Sequence, residues 1–212
     1  MVFDIIFWIF LFIIVFYLFL YKILLKILTA NKTIKKEELT PEITVIIPTY
    51  NEEKNIENRI NNLFECTYPR NKIKIIVVDN GSTDETVKKA KNFPVTVLES
   101  EKGKINAINK GLEHAESDII FITDADVITS KNALKSMVSY LHDDIGGVCG
   151  YINIKDKNLF YIKNKQDYKK EDQKIGYLES KLDSIVDLDG QIMAFKKSIV
   201  SQIPKDAYND DC

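Results

Sequence analysis

The chain has 212 residues, 45% hydrophobic and 28% charged, enough for one domain with a real core plus an appendage. Its 29 Lys and Arg stand against 31 Asp and Glu, a formal net charge of -2, which argues against a nucleic-acid binder working by bulk electrostatics. Three cysteines, Cys66, Cys149 and Cys212, show no CxxC spacing, so a disulfide framework or zinc site is not expected and a reducing compartment fits.

The apolar residues are concentrated at the start. From Ile5 to Tyr21 no residue is charged, and the apolar character resumes through Ile23, Leu24, Leu25, Ile27 and Leu28. A helix of about 24 such residues reaches roughly 36 Å, enough to cross a ~30 Å hydrocarbon layer. Residues 1–30 are therefore expected to form one transmembrane anchor, with Lys22 and Lys26 snorkelling to the headgroups. Asp4 at the start and the length of the run argue against a cleavable signal peptide. A core helix is the plainer alternative, but a helix apolar all round is hard to bury in so small a domain. Lys22, Lys26, Lys32, Lys35 and Lys36 follow the run, so the positive-inside bias predicts a single-pass cell-membrane protein with the rest of the chain cytoplasmic.

Residues 31–42 read as a charged linker, and residues 43–212 as the main domain. Strands are predicted over Ile43–Pro48, Ile73–Asp79, Val95–Glu99 and Ile119–Thr123, Val- and Ile-rich runs bounded by turn formers. The unbroken apolar runs 75–78 and 119–122 suit strands covered on both faces, as in a parallel sheet. Helical patterns fall near Asn55–Leu63, Asp84–Asn92, Asn106–His114 and Lys131–Leu141. This alternation predicts a doubly wound α/β layer, whose chemistry belongs in the loops after the strands. Further on, Tyr177–Leu182 reads as helix and Gln191–Phe195 as one more strand.

Polar clusters do follow each early strand: Pro48-Thr49-Tyr50-Asn51-Glu52, Asp79-Asn80-Gly81-Ser82-Thr83-Asp84, Lys102-Gly103-Lys104 and Thr123-Asp124-Ala125-Asp126. On extended chain, residues two apart point the same way, so both carboxylates of Asp124-Ala125-Asp126 can face one site. Two such carboxylates repel unless a cation or proton separates them, and Mg²⁺ or Mn²⁺ with phosphate oxygens is a natural solution. Each cluster also has a plainer reading. The aspartates would cap the next helix, Ser82 and Glu85 would form a capping box, Lys102 and Lys104 would be surface lysines, and Tyr50 would be core. Their recurrence at successive strand ends favours the functional reading.

Together, Thr44–Glu52, Val77–Asp84, Lys102-Gly103-Lys104 and Asp124-Ala125-Asp126 closely resemble family 2 glycosyltransferases in order and spacing, from about Ile43 to the end. The resemblance implies a GT-A fold, a mostly parallel sheet with flanking helices. It also implies inverting transfer of a sugar from a nucleotide-diphosphate donor, a UDP-sugar by family habit, to a saccharide or lipid-linked acceptor. Carried over residue by residue, Thr49, Tyr50 and Glu52 would line the nucleoside pocket, and Asp79 would bind the uracil or ribose edge. Lys104 would lie near the donor, Asp124 would approach the ribose or metal, and Asp126 would be the main metal ligand. Glu179-Ser180 and the stretch Gly190–Lys197 resemble the acceptor-side segment, with Lys196 and Lys197 where the family often has Arg. The acidic pair holding the general base matches Asp210-Asp211, with Asp211 favoured as base and Asp210 second.

The family continues beyond this pair, so the domain is expected to be C-terminally incomplete and a partner chain could supply the rest. Two other readings stand beside the enzyme. A membrane-tethered nucleotide-sugar binder without turnover keeps Asp79, Asp124 and Asp126 but has no ordered base. A phosphatase with a DxD nucleophile fits Phe121–Asp126 but leaves Ile128 and the Asp79 turn without reason. A dinucleotide-binding reading lacks a GxGxxG after the first strand.

Overall fold

The computed structural model describes residues 2–142, 144–150, 160–183 and 191–204. In chain order the elements are α1 (Val2–Val15), α2 (Tyr21–Thr29), β1 (Ile43–Thr49), α3 (Ile56–Phe64), β2 (Ile73–Asp79), α4 (Thr86–Ala90), β3 (Thr96–Glu99), α5 (Lys104–His114), β4 (Ile119–Thr123), α6 (Ala133–Val138), β5 (Gly147–Cys149), α7 (Phe160–Ser180) and β6 (Ile192–Lys196). They divide into two units, residues 1–35 with 151–187 and residues 36–150 with 188–212.

The first unit is helical, and it corrects the expectation of one spanning helix. A π-helical turn over Phe16–Leu20 separates α1, of 14 residues, from α2, of 9. The wider i→i+5 turn interrupts the α-helical ladder, although Val15 and Tyr21 on either side keep helical backbone angles. Among the described residues no helix is long and apolar enough to cross a membrane. α1 buries none of its residues, so its apolar side chains are all exposed. Within this unit α2 meets α7: the Tyr21 hydroxyl donates to Glu179 Oε1, and Lys22 Nζ lies 3.1 Å from Glu171 Oε2. α7 begins well before the predicted Tyr177.

The second unit is a six-stranded sheet in the order β3-β2-β1-β4-β6-β5. β1 pairs in parallel with β2 and β4, and β2 with β3. β6 is antiparallel to both β4 and β5, so the sheet is mixed at one side. All seven residues of β1 are buried, as a strand covered on both faces requires. Alternate residues feed two cores. Val45, Ile47, Ile75 and Val77 pack with Ile56, Ile60 and Leu63 of α3 and with Leu134 and Val138 of α6. Ile46, Ile76, Val78, Ile120 and Ile122 pack on the other face with Ala107, Ile108 and Leu112 of α5.

α5 approaches β1 closely at Gly111. A Cβ there would come 2.5 Å from Cγ2 of Ile46, a fully buried side chain with nowhere to retreat. Overpacking of this kind costs about 1–3 kcal/mol, against about 1 kcal/mol gained from the better helix former. Gly111→Ala is therefore expected to lower the midpoint of chemical unfolding; an equal or raised midpoint would mean that β1 and α5 separate freely.

Candidate functional site

The carboxyl ends of β1, β2 and β4 point their loops to one edge of the sheet, as parallel strands do. Thr49 and Asp79 end β1 and β2 as register partners, and Asn80 N donates to Thr49 O at 3.0 Å. Thr49 is buried and its hydroxyl donates to Val78 O, so it braces the two strands. Each of the first three loops then turns through a left-handed residue: Asn51 (φ 55), Gly81 (φ 101) and Gly103 (φ 120). Asn and Gly tolerate this region, where a Cβ usually clashes.

The loops after β1 and β2 are tied to each other by side chains. Asn51 N donates to Ser82 Oγ at 2.8 Å, and Thr83 N to Asn51 Oδ1 at 2.8 Å. Glu52 N donates to Thr86 Oγ1 at 2.7 Å, and Glu53 N to Asp84 Oδ2 at 3.1 Å. The capping box that is the plainer reading of Ser82 and Glu85 does not form, because α4 starts only at Thr86 and Ser82 faces Asn51 instead. Desolvation pushes the Asp84 carboxyl up, but hydrogen bonds from Thr86 and from Glu53 N outweigh it and hold the group below its usual range. Glu52 Oε2 accepts from Asn55 Nδ2 at 2.7 Å, which directs that carboxylate toward the start of α3. Tyr50 is exposed, and Lys102 Nζ sits 5.9 Å from its ring centre, joining the first and third loops.

Asp79 is the most constrained carboxylate here. It is 5% exposed, and its Oδ2 accepts from Gly81 N and Ser82 N at 3.1 and 3.0 Å. Its Oδ1 is buried and has no hydrogen-bond partner among the described residues. An orphaned buried acceptor costs about 1–3 kcal/mol, so a ligand donor at this atom gains what the free protein forgoes.

At the fourth strand end, Lys104, the first residue of α5, places Nζ 2.9 Å from Asp124 Oδ1. Both side chains are mostly shielded, so this pair is held more firmly than a surface ion pair. Asp126 is exposed. Among the described residues no three His, Cys, Asp or Glu side chains gather into a metal cage. Two carboxylates suit a hard cation that takes its other ligands from phosphates and water. Asp210 and Asp211 lie outside the described residues, as does Gly190. A hollow of about 550 Å³ near Pro41, Ile119 and Leu141 lies at the opposite, amino end of the strands, away from these loops.

The structure also brings in a residue with no role in the sequence reading. Arg59 is fully buried, with NH2 2.8 Å from Thr123 Oγ1 and NH1 2.9 Å from Asn62 Oδ1. Burial lowers its guanidinium to about 10, an effect that Cys66, Asp124 and Asp126 oppose. The signal was present: Ile56, Arg59, Ile60 and Leu63 follow the i, i+3, i+4, i+7 spacing of one helix face, so Arg59 occupies an apolar stripe.

The Glycosyl transferase family 2 model matches residues 44–203. Poly-beta-1,6-N-acetyl-D-glucosamine synthase of Staphylococcus aureus is 31% identical over 123 residues, covering 54% of this chain and 29% of that protein. Glycosyltransferase AglE of Haloferax volcanii is 33% identical over 115 residues, covering 49% of this chain and 38% of that protein. The matches thus span about a third of these curated relatives. The mannosyltransferase PcManGT from Pyrobaculum calidifontis, solved in complex with GDP-Man and Mn2+, is 30% identical with a TM-score of 0.70, covering 88% of this chain and 55% of that one. Glucosyl-3-phosphoglycerate synthase of Mycobacterium tuberculosis shares the fold, at 19% identity and a TM-score of 0.52 over 82% of this chain and 61% of that one.

Proposed function

The chain belongs to glycosyl transferase family 2, and on that premise we propose that it moves a sugar, with inversion, from a nucleotide-diphosphate donor to a saccharide or lipid-linked acceptor. The observation that carries this reading is the partnerless buried Oδ1 of Asp79 at the end of β2. An acceptor so placed matches an imide N–H of a base or a ribose hydroxyl. Tyr50 and Glu52 complete the nucleoside end, with Thr49 bracing the strand ends beneath them, and Lys104 meets the diphosphate end. Lys104 is already paired with Asp124, so a cation stands at the negative end of the site before donor arrives.

Asp124 and Asp126 would hold Mg²⁺ or Mn²⁺ together with donor phosphate oxygens; the Mn2+ bound to the Pyrobaculum mannosyltransferase supports a divalent ion. When bound, that ion offsets the charge growing on the departing diphosphate. Asp211, with Asp210 as the second candidate, takes the proton from the acceptor hydroxyl as its oxygen attacks the anomeric carbon. The bond from that carbon to the diphosphate oxygen breaks on the opposite face, and the nucleoside diphosphate leaves with the electron pair.

The chain's location at the cell membrane, with the sheet unit on the cytoplasmic side, is part of the proposal. α1 exposes an apolar surface along its whole length, and Lys22, Lys26, Lys32, Lys35 and Lys36 follow it. An exposed apolar surface of this kind favours contact with lipid, and the lysines that follow would meet anionic headgroups.

The test is release of nucleoside diphosphate from a panel of UDP-sugars and GDP-mannose, with Asp79→Asn beside the wild type. UDP-sugars are expected to be turned over. In the variant the amide must either face the two loop N–H groups or face the ligand donor, and both are repulsive. Donor affinity is expected to fall about 100-fold, the loss of one charge-assisted hydrogen bond at Oδ1 and its replacement by a donor–donor clash. Wild-type affinity in a folded Asp79→Asn protein would remove Asp79 from the donor site.

A further inference from the structure

The loop that carries Asp124 and Asp126 is held at both ends by α3. At its start, Arg59 NH2 donates to Thr123 Oγ1 at 2.8 Å, while that hydroxyl donates to Gln191 O at 2.9 Å. At its end, Asn62 Oδ1 accepts from Thr129 N and from Thr129 Oγ1, both at 2.9 Å, and Asn62 Nδ2 donates to Thr129 O at 3.0 Å. The two anchors are joined, because Arg59 NH1 donates to the same Asn62 Oδ1 at 2.9 Å and lies 3.4 Å from Thr129 Oγ1. Arg59 and Asn62 are three apart on one helix, the spacing at which neighbouring side chains meet.

A fully buried Arg is costly and is normally retained with a carboxylate partner. Here its hydrogen bonds go to neutral groups, and Nε has no partner among the described residues. Core filling alone would be met better by Leu or Met at this place in the apolar stripe of α3. The guanidinium differs from those side chains in its fork, which reaches Thr123 and Thr129 at once, and in a fixed positive charge near Asp124 and Asp126.

We propose that Arg59 and Asn62 form a clamp that positions the Asp124-Ala125-Asp126 loop for metal binding, fixing Thr123 and Thr129 so that the two carboxylates are set before donor and cation arrive. The inference rests on the donor-site reading above. Outer partners that orient metal ligands typically contribute about 10- to 100-fold in affinity. Neither residue touches donor or metal; both act through the loop.

The test is the affinity of the 212-residue chain for UDP, measured with Mn²⁺ and with excess chelator, for the wild type, Arg59→Met and Asn62→Ala. The readout is the ratio of the two affinities, the gain that Mn²⁺ confers. A purely structural role would weaken both affinities together and leave the ratio alone. The clamp predicts that the ratio falls about 10- to 100-fold in Arg59→Met and about 10-fold in Asn62→Ala, with chelator-state affinity near wild type. Arg59→Met places an apolar side chain against Thr123 and Thr129, so if it does not fold, Asn62→Ala, at a half-buried position favourable to Ala, decides. An unchanged ratio in a folded variant, beside a wild type that shows the gain, overturns the clamp alone. A wild type with no Mn²⁺ gain overturns the metal reading and the clamp with it.

Discussion

Asp211→Asn is expected to leave UDP affinity within about twofold of wild type and to lower sugar transfer by about 10³-fold, within the range that a positioned general base contributes. Asn keeps the size and most of the hydrogen-bonding shape of the side chain but cannot take a proton at neutral pH. Binding and chemistry therefore separate in this variant. Nothing in the donor contacts proposed for Tyr50, Asp79 or Lys104 depends on the base, so donor affinity is the internal control. Transfer from a labelled donor, measured beside calorimetric affinity, checks both halves. Full transfer by the variant would move the base to Asp210 or elsewhere.

Asp126→Ala has the complementary outcome. The side chain is exposed, so its loss does not open a core cavity and the fold is expected to stand. With Mn²⁺ present, UDP affinity is expected to fall about 100-fold, to the level the wild type shows with chelator. In chelator the two proteins are expected to match, because Asp79 and the first three loops are untouched. Asp124, the carboxylate that remains, is already paired with Lys104. Unchanged Mn²⁺-dependent affinity in the variant would remove Asp126 from the metal assignment.

Much of this arrangement was legible in the sequence because buried parallel strands carry an unusually plain signal. Ile43–Thr49, Ile73–Asp79 and Ile119–Thr123 are runs of Val and Ile that end in polar residues, and they fall where they were expected. The loops after them hold the candidate residues because strand direction decides which edge receives the polar clusters. β5 was missed: three residues beginning with Gly147 leave no periodicity to read. The antiparallel direction of β6 was equally hidden, since pairing direction depends on the path of the chain before the strand rather than on its composition.

Two readings failed for local reasons. The capping box at Ser82 looked complete in sequence, yet the hydroxyl is taken by Asn51 N from a loop 31 positions away. A tertiary partner won over a local one. The apolar N-terminal run reads as one long helix by hydropathy, which is blind to the π turn at Phe16–Leu20. Arg59 shows the opposite situation, a charge inside an apolar stripe whose helix spacing was visible but whose partners, Thr123 and Thr129, lie 64 and 70 positions further on.

The most direct measurement of the donor-site claim is calorimetric titration of the detergent-solubilised chain with UDP, first with Mn²⁺ and then with excess chelator. The expected result is saturable binding with Mn²⁺ that weakens sharply when the chelator is added. No binding in either condition, with UDP or with GDP in its place, would contradict it, and Asp79, Lys104 and Asp124 would then be a structural cluster rather than a nucleotide site.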